Sequence, residues 1–208
     1  GECPGGIGVG HAGAVDSQHD GGVVGPAHRA RLPHVLRELL ERAAITANAT
    51  TSLAASLVGP AAERTGTHAR EIRLSAFLRM LGSRDIYRRV YQMRIEPLPM
   101  LELLWKNPVA PRSVLRCLNG CASRIRESES NLSPATGRAL AAIEALQQSI
   151  RSTDWETLLE NLPAGSAKSK LQAHSEDLLT RLLALHTTIC DSFLNHQVLI
   201  HGETETLL

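Results

Sequence analysis

The sequence predicts an all-α protein, a multi-helix bundle preceded by a disordered, glycine-rich N-terminal tail. The composition favours helices over sheets, because Leu and Ala supply much of the 43% hydrophobic content and there are two residues each of Phe, Tyr and Trp. Apolar residues recur at helical spacing in successive segments between residues 32 and 200. Proline and glycine separate these segments, as expected for helices joined by short connections.

The glycine-rich tail is predicted over residues 1–30, and the helical domain over residues 31–202. The first 27 residues contain nine glycines and few large apolar side chains, so ordering this backbone would cost much conformational entropy. The run Gly8-Val9-Gly10-His11-Ala12-Gly13 fits the dinucleotide pattern GxGxxG, but that pattern has meaning only between a strand and a helix. Neither element is predicted here, so we expect no nucleotide and no other cofactor.

Three helices are predicted in the first half of the domain. The first begins near Leu32 and continues to Leu57, after which Gly59-Pro60 stops it. A second helix is predicted over residues 70–81, where Gly82-Ser83 breaks or bends it. The third follows to about Arg94.

The third helix is predicted to display a surface of tyrosines and arginines. Ile86, Val90 and Met93 lie at i, i+4 and i+7, which predicts an apolar stripe facing the core. The other side of the helix is then expected to present five polar or aromatic side chains, Arg84, Tyr87, Arg88, Tyr91 and Arg94. A surface of phenols and guanidiniums of this kind can bind another molecule.

The central connections are organised by prolines. We expect Pro97 and Pro99 to precede a short helix over residues 100–105, and we expect Pro111 to be the first residue of the following helix. That following helix has an apolar stripe at helical spacing, formed by Val114, Leu118, Cys121 and Ile125.

The last part of the domain is predicted to contain three more helices. One covers residues 135–152, and Thr153-Asp154-Trp155-Glu156 reads as a capping box that opens a short second helix. The last helix is expected over residues 170–200, as the longest element of the bundle. A second copy of the chain can cover any exposed apolar stripe, so a homo-oligomer is also considered.

Composition limits the partners and the location of the protein. The formal charge of +1 argues against a dedicated nucleic-acid binder, which usually has a strong basic excess. No apolar run reaches the roughly 18 residues that a membrane helix needs, and the start of the chain does not resemble a secretory signal. The four cysteines form no CxxC pair, which favours reduced thiols and a cytoplasmic location.

Two candidate chemical sites are weighed and set aside. His186 and Cys190 lie at i, i+4, but a zinc site needs three or four converging ligands, so a histidine and a thiol beside the core are favoured. Cys117 has no recognisable base near it in sequence, so it is not predicted to be a nucleophile. We therefore predict neither catalytic residues nor a metal site.

Four short motifs follow one another along the chain, namely Leu40-Glu41-Arg42-Ala43, Tyr87-Arg88-Arg89-Val90-Tyr91, Leu101-Glu102-Leu103-Leu104 and Pro111-Arg112-Ser113-Val114. Together they resemble the C-terminal part of the alpha-E family, a bacterial family of all-helical domains. The first motif resembles the Glu-Arg pair for which the domain is named. The resemblance covers about residues 32–200.

The resemblance implies an accessory role, because the family has no established activity. Its members are commonly fused to, or encoded beside, circularly permuted ATP-grasp proteins, and they occur near transglutaminase-like proteins. ATP-grasp proteins of this kind are expected to join carboxylates to amines through acyl-phosphates. The resemblance therefore implies a non-catalytic interaction domain of an ATP-grasp-type peptide or amide ligase system, with that ligase and a transglutaminase-like protein as partners.

The candidate residues for binding a ligand or a partner are Glu41, Arg42, Arg84, Tyr87, Arg88, Tyr91, Arg112 and Ser113. Seven arginines and two acidic residues occur between Arg70 and Arg94, so this run can hold a carboxylate or phosphate. The alternative function is therefore an enzyme or binding domain that uses an arginine face to hold an acidic peptide or phosphorylated ligand. The same arginines can instead neutralise the acidic groups and helix C-termini of the bundle itself.

Overall fold

The computed structural model describes residues 26–57, 66–92, 94–128, 133–160 and 169–193 of the chain. Within these ranges the backbone forms eight helices and no strand, which confirms the all-α prediction. In chain order the helices are α1 (Pro26–Leu57), α2 (Thr67–Met80), α3 (Arg84–Tyr91), α4 (Pro97–Trp105), α5 (Val114–Ser128), α6 (Pro134–Ser152), α7 (Trp155–Glu160) and α8 (Lys170–Phe193). The predicted tail lies outside the described residues up to residue 25, as do Gly59-Pro60 and the predicted end of the last helix.

Four of the helices close a bundle. Helix α1 packs along both α5 and α8, and α6 packs along the same two helices from the other side. The predicted stripe of α5 is confirmed, because each of its members is fully buried, namely Val114, Leu118, Cys121 and Ile125. The short helices α4 and α7 pack against each other at the margin of this bundle, with contacts to α1, α5 and α8.

Helix α1 is the longest element that the structure describes. It has 32 residues, and α8 has 24; the predicted end of the last helix lies outside the described residues, so its predicted rank as the longest element stays a prediction. Its described residues run from Pro26, before the predicted domain boundary at residue 31, to Leu57, and the predicted stop at Gly59-Pro60 lies outside the described residues. Pro33 lies inside the helix, where its missing N–H removes one backbone hydrogen bond.

Small residues allow α1 to approach its neighbours closely. Ala43, Ala47 and Ala54 are fully buried, so no long side chain separates the helix backbone from its neighbours at these positions. In α5, a Cβ placed on Gly120 would lie 3.1 Å from a methyl group of Leu39. That distance is tighter than ordinary carbon contacts, so the glycine makes room for the leucine of α1.

Three buried threonines on α1 satisfy their hydroxyl groups within the helix. The Oγ1 atoms of Thr46, Thr50 and Thr51 each donate to the carbonyl oxygen one turn earlier, at 3.1, 2.9 and 2.8 Å. A buried hydroxyl without a partner would cost free energy, and these bonds remove that cost without help from another helix. The helix can therefore bury polar residues on the face that packs in the bundle.

The prolines of the central connections occupy different positions from those predicted. Helix α4 begins at Pro97 and contains Pro99, because a proline in the first turn loses no intrahelical hydrogen bond. Pro111 lies in a turn, and α5 begins three residues later, at Val114. The side chain of Asn107 holds this connection, since its Oδ1 accepts hydrogen bonds from two successive amides at 2.8 Å.

The start of α7 is capped by a different residue from the one predicted. The Oδ1 atom of Asp154 accepts a hydrogen bond from the backbone N–H of Thr157 at 3.1 Å. Thr153 instead donates its hydroxyl to the carbonyl oxygen of Ser149 at 2.8 Å, at the end of α6. The hydrogen bonds to Thr157 hold the pKa of the Asp154 carboxyl below its usual value. The start of the helix was therefore predicted in the right place, but Asp154 caps it, and the predicted capping box of Thr153 and Glu156 was wrong.

Two buried tryptophans hold the short helices α4 and α7 against the bundle. Trp105 at the end of α4 and Trp155 at the start of α7 are buried, with ring centroids 5.4 Å apart. The ring of His174 from α8 meets Trp155 edge-on at 5.8 Å. Large aromatic side chains bury much apolar area, so this cluster stabilises the attachment of α4 and α7 to α8.

We expect Trp155→Ala to lower the free energy of unfolding by about 3–5 kcal/mol, since it empties a buried aromatic site that three helices share. Urea unfolding followed by circular dichroism measures this change. Leu183→Ala is the control, because Leu183 is half-exposed on α8 and its loss should change stability by about 0.5 kcal/mol or less. Equal effects of the two substitutions would contradict the packing described for Trp155.

The cysteines of α5 and α8 differ in burial. Cys117 and Cys121 are buried and unpaired, as predicted, and burial raises the pKa of the Cys121 thiol to about 12. Burial also raises the pKa of Cys117, against the charges of Arg42, Arg116 and Arg112, which lower it. Cys190 is only partly buried, and its sulfur lies 3.6 Å from Nδ1 of His186.

We expect iodoacetamide to modify Cys190 before Cys117 or Cys121 in the folded protein, because a thiolate is the reactive form and a buried thiol neither ionises nor meets the reagent. Peptide mass spectrometry of a time course measures the order of modification. In urea the three rates should converge. Faster modification of Cys121 than of Cys190 without denaturant would show that α5 is not buried as described.

Candidate functional site: an arginine-lined groove

The Glu-Arg pair of α1 does not form an ion pair with itself. Glu41 is exposed and accepts a hydrogen bond from Nε of Arg37 at 2.7 Å, which lowers the pKa of the Glu41 carboxyl. Arg42 is half-buried and pairs with Glu38, one turn earlier. The two residues therefore sit in separate ion pairs along one helix, of a kind that contributes little to stability when exposed.

The faces of α3 are arranged differently from the prediction. Tyr87 is fully buried, while Val90, which was predicted to face the core, is 45% exposed. The hydroxyl of Tyr87 donates to the carbonyl oxygen of Arg94 at 2.8 Å and accepts from the backbone N–H of Glu96 at 3.2 Å. Tyr87 therefore fixes the chain that leaves α3, and it does not belong to an exposed surface.

Tyr91, Ser113 and Arg112, which were also predicted to bind a ligand or partner, are wholly or partly buried. Tyr91 is half-buried, with its ring 5.0 Å from that of Tyr87. Ser113 is fully buried, and its Oγ donates to the carbonyl oxygen of Trp105 at 3.3 Å. Arg112 is half-buried, and its Nε lies 3.9 Å from where a Cβ on Gly82 would be. Of this group, Arg112 alone brings a charged side chain towards the turn between α2 and α3.

The turn between α2 and α3 is set by Gly82. This residue has φ +63°, a left-handed conformation that favours glycine, and its amide donates to the carbonyl oxygen of Arg79 at 2.9 Å. Ser83 follows it and donates its amide to the carbonyl oxygen of Leu78 at 2.8 Å. The sharp turn places the last residues of α2 close to the first residues of α3.

A groove of about 370 Å³ lies between α2 and α3. Three arginines line it, Arg79 at the end of α2 and Arg84 and Arg88 on α3. A second, smaller concavity of about 250 Å³ is lined by Arg79, Gly82, Arg84 and Asp85, so two of the arginines border both. Arg84 and Arg88 were predicted from the sequence as binding residues, and the structure brings them together with Arg79.

The three guanidiniums of the groove have no ion-pair partner among the residues that the structure describes. The Nε atom of Arg84 is buried and has no hydrogen-bond acceptor in the described chain. Burial lowers the pKa of Arg84, and the positive charges of Arg79 and Arg88 lower it further, whereas Asp85 raises it. The like charges repel one another, so an anion bound in this groove would relieve the repulsion.

Arg79 was missed as an individual candidate, although it belongs to the arginine run. The signal that could have identified it is the break at Gly82-Ser83, because a tight turn there brings the end of one helix next to the start of the following one. Arg84 and Arg88 are one helical turn apart and share a face of α3. The apolar side of the groove was not predicted either: Ile72 lines it and is 56% exposed.

No metal site is found among the residues that the structure describes. The described residues contain no group of three or more His, Cys, Asp or Glu side chains that could hold a metal ion. Among the described helices, none is long and apolar enough to cross a membrane. The arginine-lined groove is the candidate site for binding.

These features define an all-helical domain with an arginine-lined surface groove. The family model called Alpha-E, described as a predicted alpha-helical domain with a conserved ER motif, matches residues 36–194. The chain therefore belongs to the Alpha-E family, as the four sequence motifs indicated, and the matched range includes Glu41-Arg42. Comparisons with curated proteins and with solved structures gave no match.

We expect Tyr87→Phe to lower the free energy of unfolding by about 1 kcal/mol, since it removes one donor and one acceptor that hold the backbone after α3. Urea unfolding measures the change. Tyr91→Phe is the matched control, because no hydrogen bond of its hydroxyl is seen among the described residues, and it should cost less. A larger loss from Tyr91→Phe would contradict the role assigned to the Tyr87 hydroxyl.

Proposed function

We propose that this protein is a non-catalytic helical accessory domain of an ATP-grasp-type peptide or amide ligase system, and that it binds the ligase through the surface of α2 and α3. The observation that carries the proposal is the groove with three guanidiniums that lack a described ion-pair partner. The role in a ligase system comes from the resemblance to the alpha-E family. A transglutaminase-like protein is the second partner proposed, and both interactions are placed in the cytoplasm.

The chemistry of arginine supports binding in this groove rather than proton transfer. A guanidinium stays protonated near neutral pH, so it cannot act as a general acid or base. It presents several N–H donors in a plane, which suits the two oxygens of a carboxylate or phosphate. The groove therefore suits recognition of an anionic group on a partner.

The position of the groove also supports contact with another protein. Helices α2 and α3 lie outside the four helices that close the bundle, and their main contacts are with each other and with α4. A partner can approach this surface without any change in the packing of α1, α5, α6 and α8. A second copy of the chain is an alternative partner for the same surface.

The second candidate function is a ligand-binding domain or enzyme that uses the arginine face to hold an acidic peptide or a phosphorylated ligand. The buried Nε atom of Arg84 favours this candidate, because it is a donor without an acceptor among the described residues. A bound carboxylate or phosphate would supply an acceptor. This candidate differs from the first in requiring no ligase.

We expect the protein to co-purify with the ATP-grasp protein encoded beside it, and the double substitution Arg79→Glu with Arg88→Glu to abolish the complex, because it reverses the charge of the groove. Size-exclusion chromatography and calorimetry of the purified pair measure the association. The control is Arg73→Glu with Arg89→Glu, which changes the net charge equally on the same two helices outside the groove.

The control variant should retain the complex. Absence of any complex with the natural protein, together with unchanged ligase activity when it is added, would contradict the accessory function. Equal loss of binding in both double variants would show that net charge, and not the groove, determines the association.

A further inference from the structure

Along α2, the groove between α2 and α3 has an arginine at one end and a carboxylate with a histidine at the other. Arg79 and Arg84 lie on either side of the Gly82 turn, with the carboxylate of Asp85 beside them, and Arg88 lies one helical turn further along α3. At the start of α2, the groove is lined by His68 and by the carboxylate of Glu71. A ligand that fits both ends therefore needs negative charge at one end only.

The side chains that α2 contributes to the groove extend over a considerable length. They run from His68 to Arg79, eleven positions apart, which corresponds to about 16 Å along a helix. An extended peptide covers this length with about five residues. A single phosphate or carboxylate would fill only the end at which the arginines lie.

The wall between the two ends is apolar. Ile72 and Ala76 of α2 are exposed, and Ile95 closes the groove from the chain that follows α3. The side chain of Ile72 is half-exposed to water, which is unfavourable for an apolar group. An apolar group of a ligand that packed on Ile72 would remove this cost. A phosphate or a sugar-phosphate chain gains nothing from such a wall, whereas a leucine-like side chain does.

We infer that the groove binds an extended acidic peptide segment of a partner protein, with carboxylates against Arg79, Arg84 and Arg88 and an apolar side chain against Ile72 and Ala76. The inference rests on the proposed function in taking the ligase as the protein that carries the segment. Glu71 at the other end of the groove repels a uniformly anionic chain and so disfavours a nucleic acid. It also sets the direction in which the peptide lies.

The test measures fluorescence anisotropy of the full chain with a labelled synthetic peptide in which a run of glutamates is followed by leucines. We expect Arg79→Ala or Arg88→Ala to weaken binding about tenfold each, as loss of a charge-assisted hydrogen bond does. Ile72→Ser should weaken it about fivefold, through the lost apolar contact. A peptide with serines in place of the leucines should bind natural protein as weakly as the original peptide binds the Ile72→Ser variant.

Matched controls are available on the same helices. Arg73→Ala and Arg89→Ala remove exposed arginines that do not line the groove, and Met80→Ser removes an apolar side chain that is 69% exposed outside it. All three should bind the peptide as the natural protein does. Circular dichroism confirms that each variant retains its helices, so that weaker binding is not a consequence of unfolding.

The opposite results would overturn the inference. Inorganic phosphate or a single-stranded oligonucleotide that binds as tightly as the peptide would show that the groove recognises phosphate alone. Unchanged peptide affinity in Ile72→Ser would show that the apolar wall takes no part. A ligase complex that survives Arg79→Ala and Ile72→Ser would overturn the inference yet leave the accessory function standing. Peptide binding without any ligase complex would overturn the accessory function, and with it the ligase as carrier of the segment, yet leave the specificity of the groove for an acidic peptide standing.

Discussion

The contact of α1 with both α5 and α8 is the constraint on which the rest of the structure depends. A helix of 32 residues provides a continuous surface only if its neighbours can approach it along much of that length, and small residues make this possible. Ala43 and Ala47 are fully buried, and Gly120 of α5 leaves space for Leu39. Helix α6 then closes the bundle on the two helices that α1 positions.

The surface of α2 and α3 differs from helix α1 in the pairing of its polar side chains. The buried threonines of α1 find acceptors within their own helix, whereas the groove keeps three guanidiniums without a described carboxylate partner. The fold nevertheless holds this surface firmly, because Gly82 sets the turn and the hydroxyl of Tyr87 ties the chain after α3. A fixed backbone with unpaired charges is an arrangement suited to binding, since little conformational entropy remains to be lost.

Much of the fold could be predicted from the sequence, because a repeated apolar stripe such as Val114, Leu118 and Cys121 determines both a helix and its buried face. The faces of α3 could not. Val90 is more apolar than Tyr87, so the pattern assigned it to the core, yet the tyrosine is the buried residue. Its burial depends on backbone partners at residues 94 and 96, beyond the helix, and helical periodicity contains no information about them.

Only part of the candidate site could be predicted from the sequence. The sequence shows the arginines as one run but not which guanidiniums lack a partner: Arg42 pairs with Glu38 one turn earlier on its own helix, whereas Nε of Arg84 has no acceptor among the described residues. Three clustered positive charges oppose folding, and α2 and α3 lie outside the bundle, where such a cost does not disturb the core. Asp85 lies beside the cluster and raises the pKa of Arg84, but no described carboxylate forms an ion pair with these three arginines, as Glu38 and Glu41 do with the arginines of α1. This difference in pairing is the physical reason for proposing a binding function for this surface and not for the Glu-Arg pair.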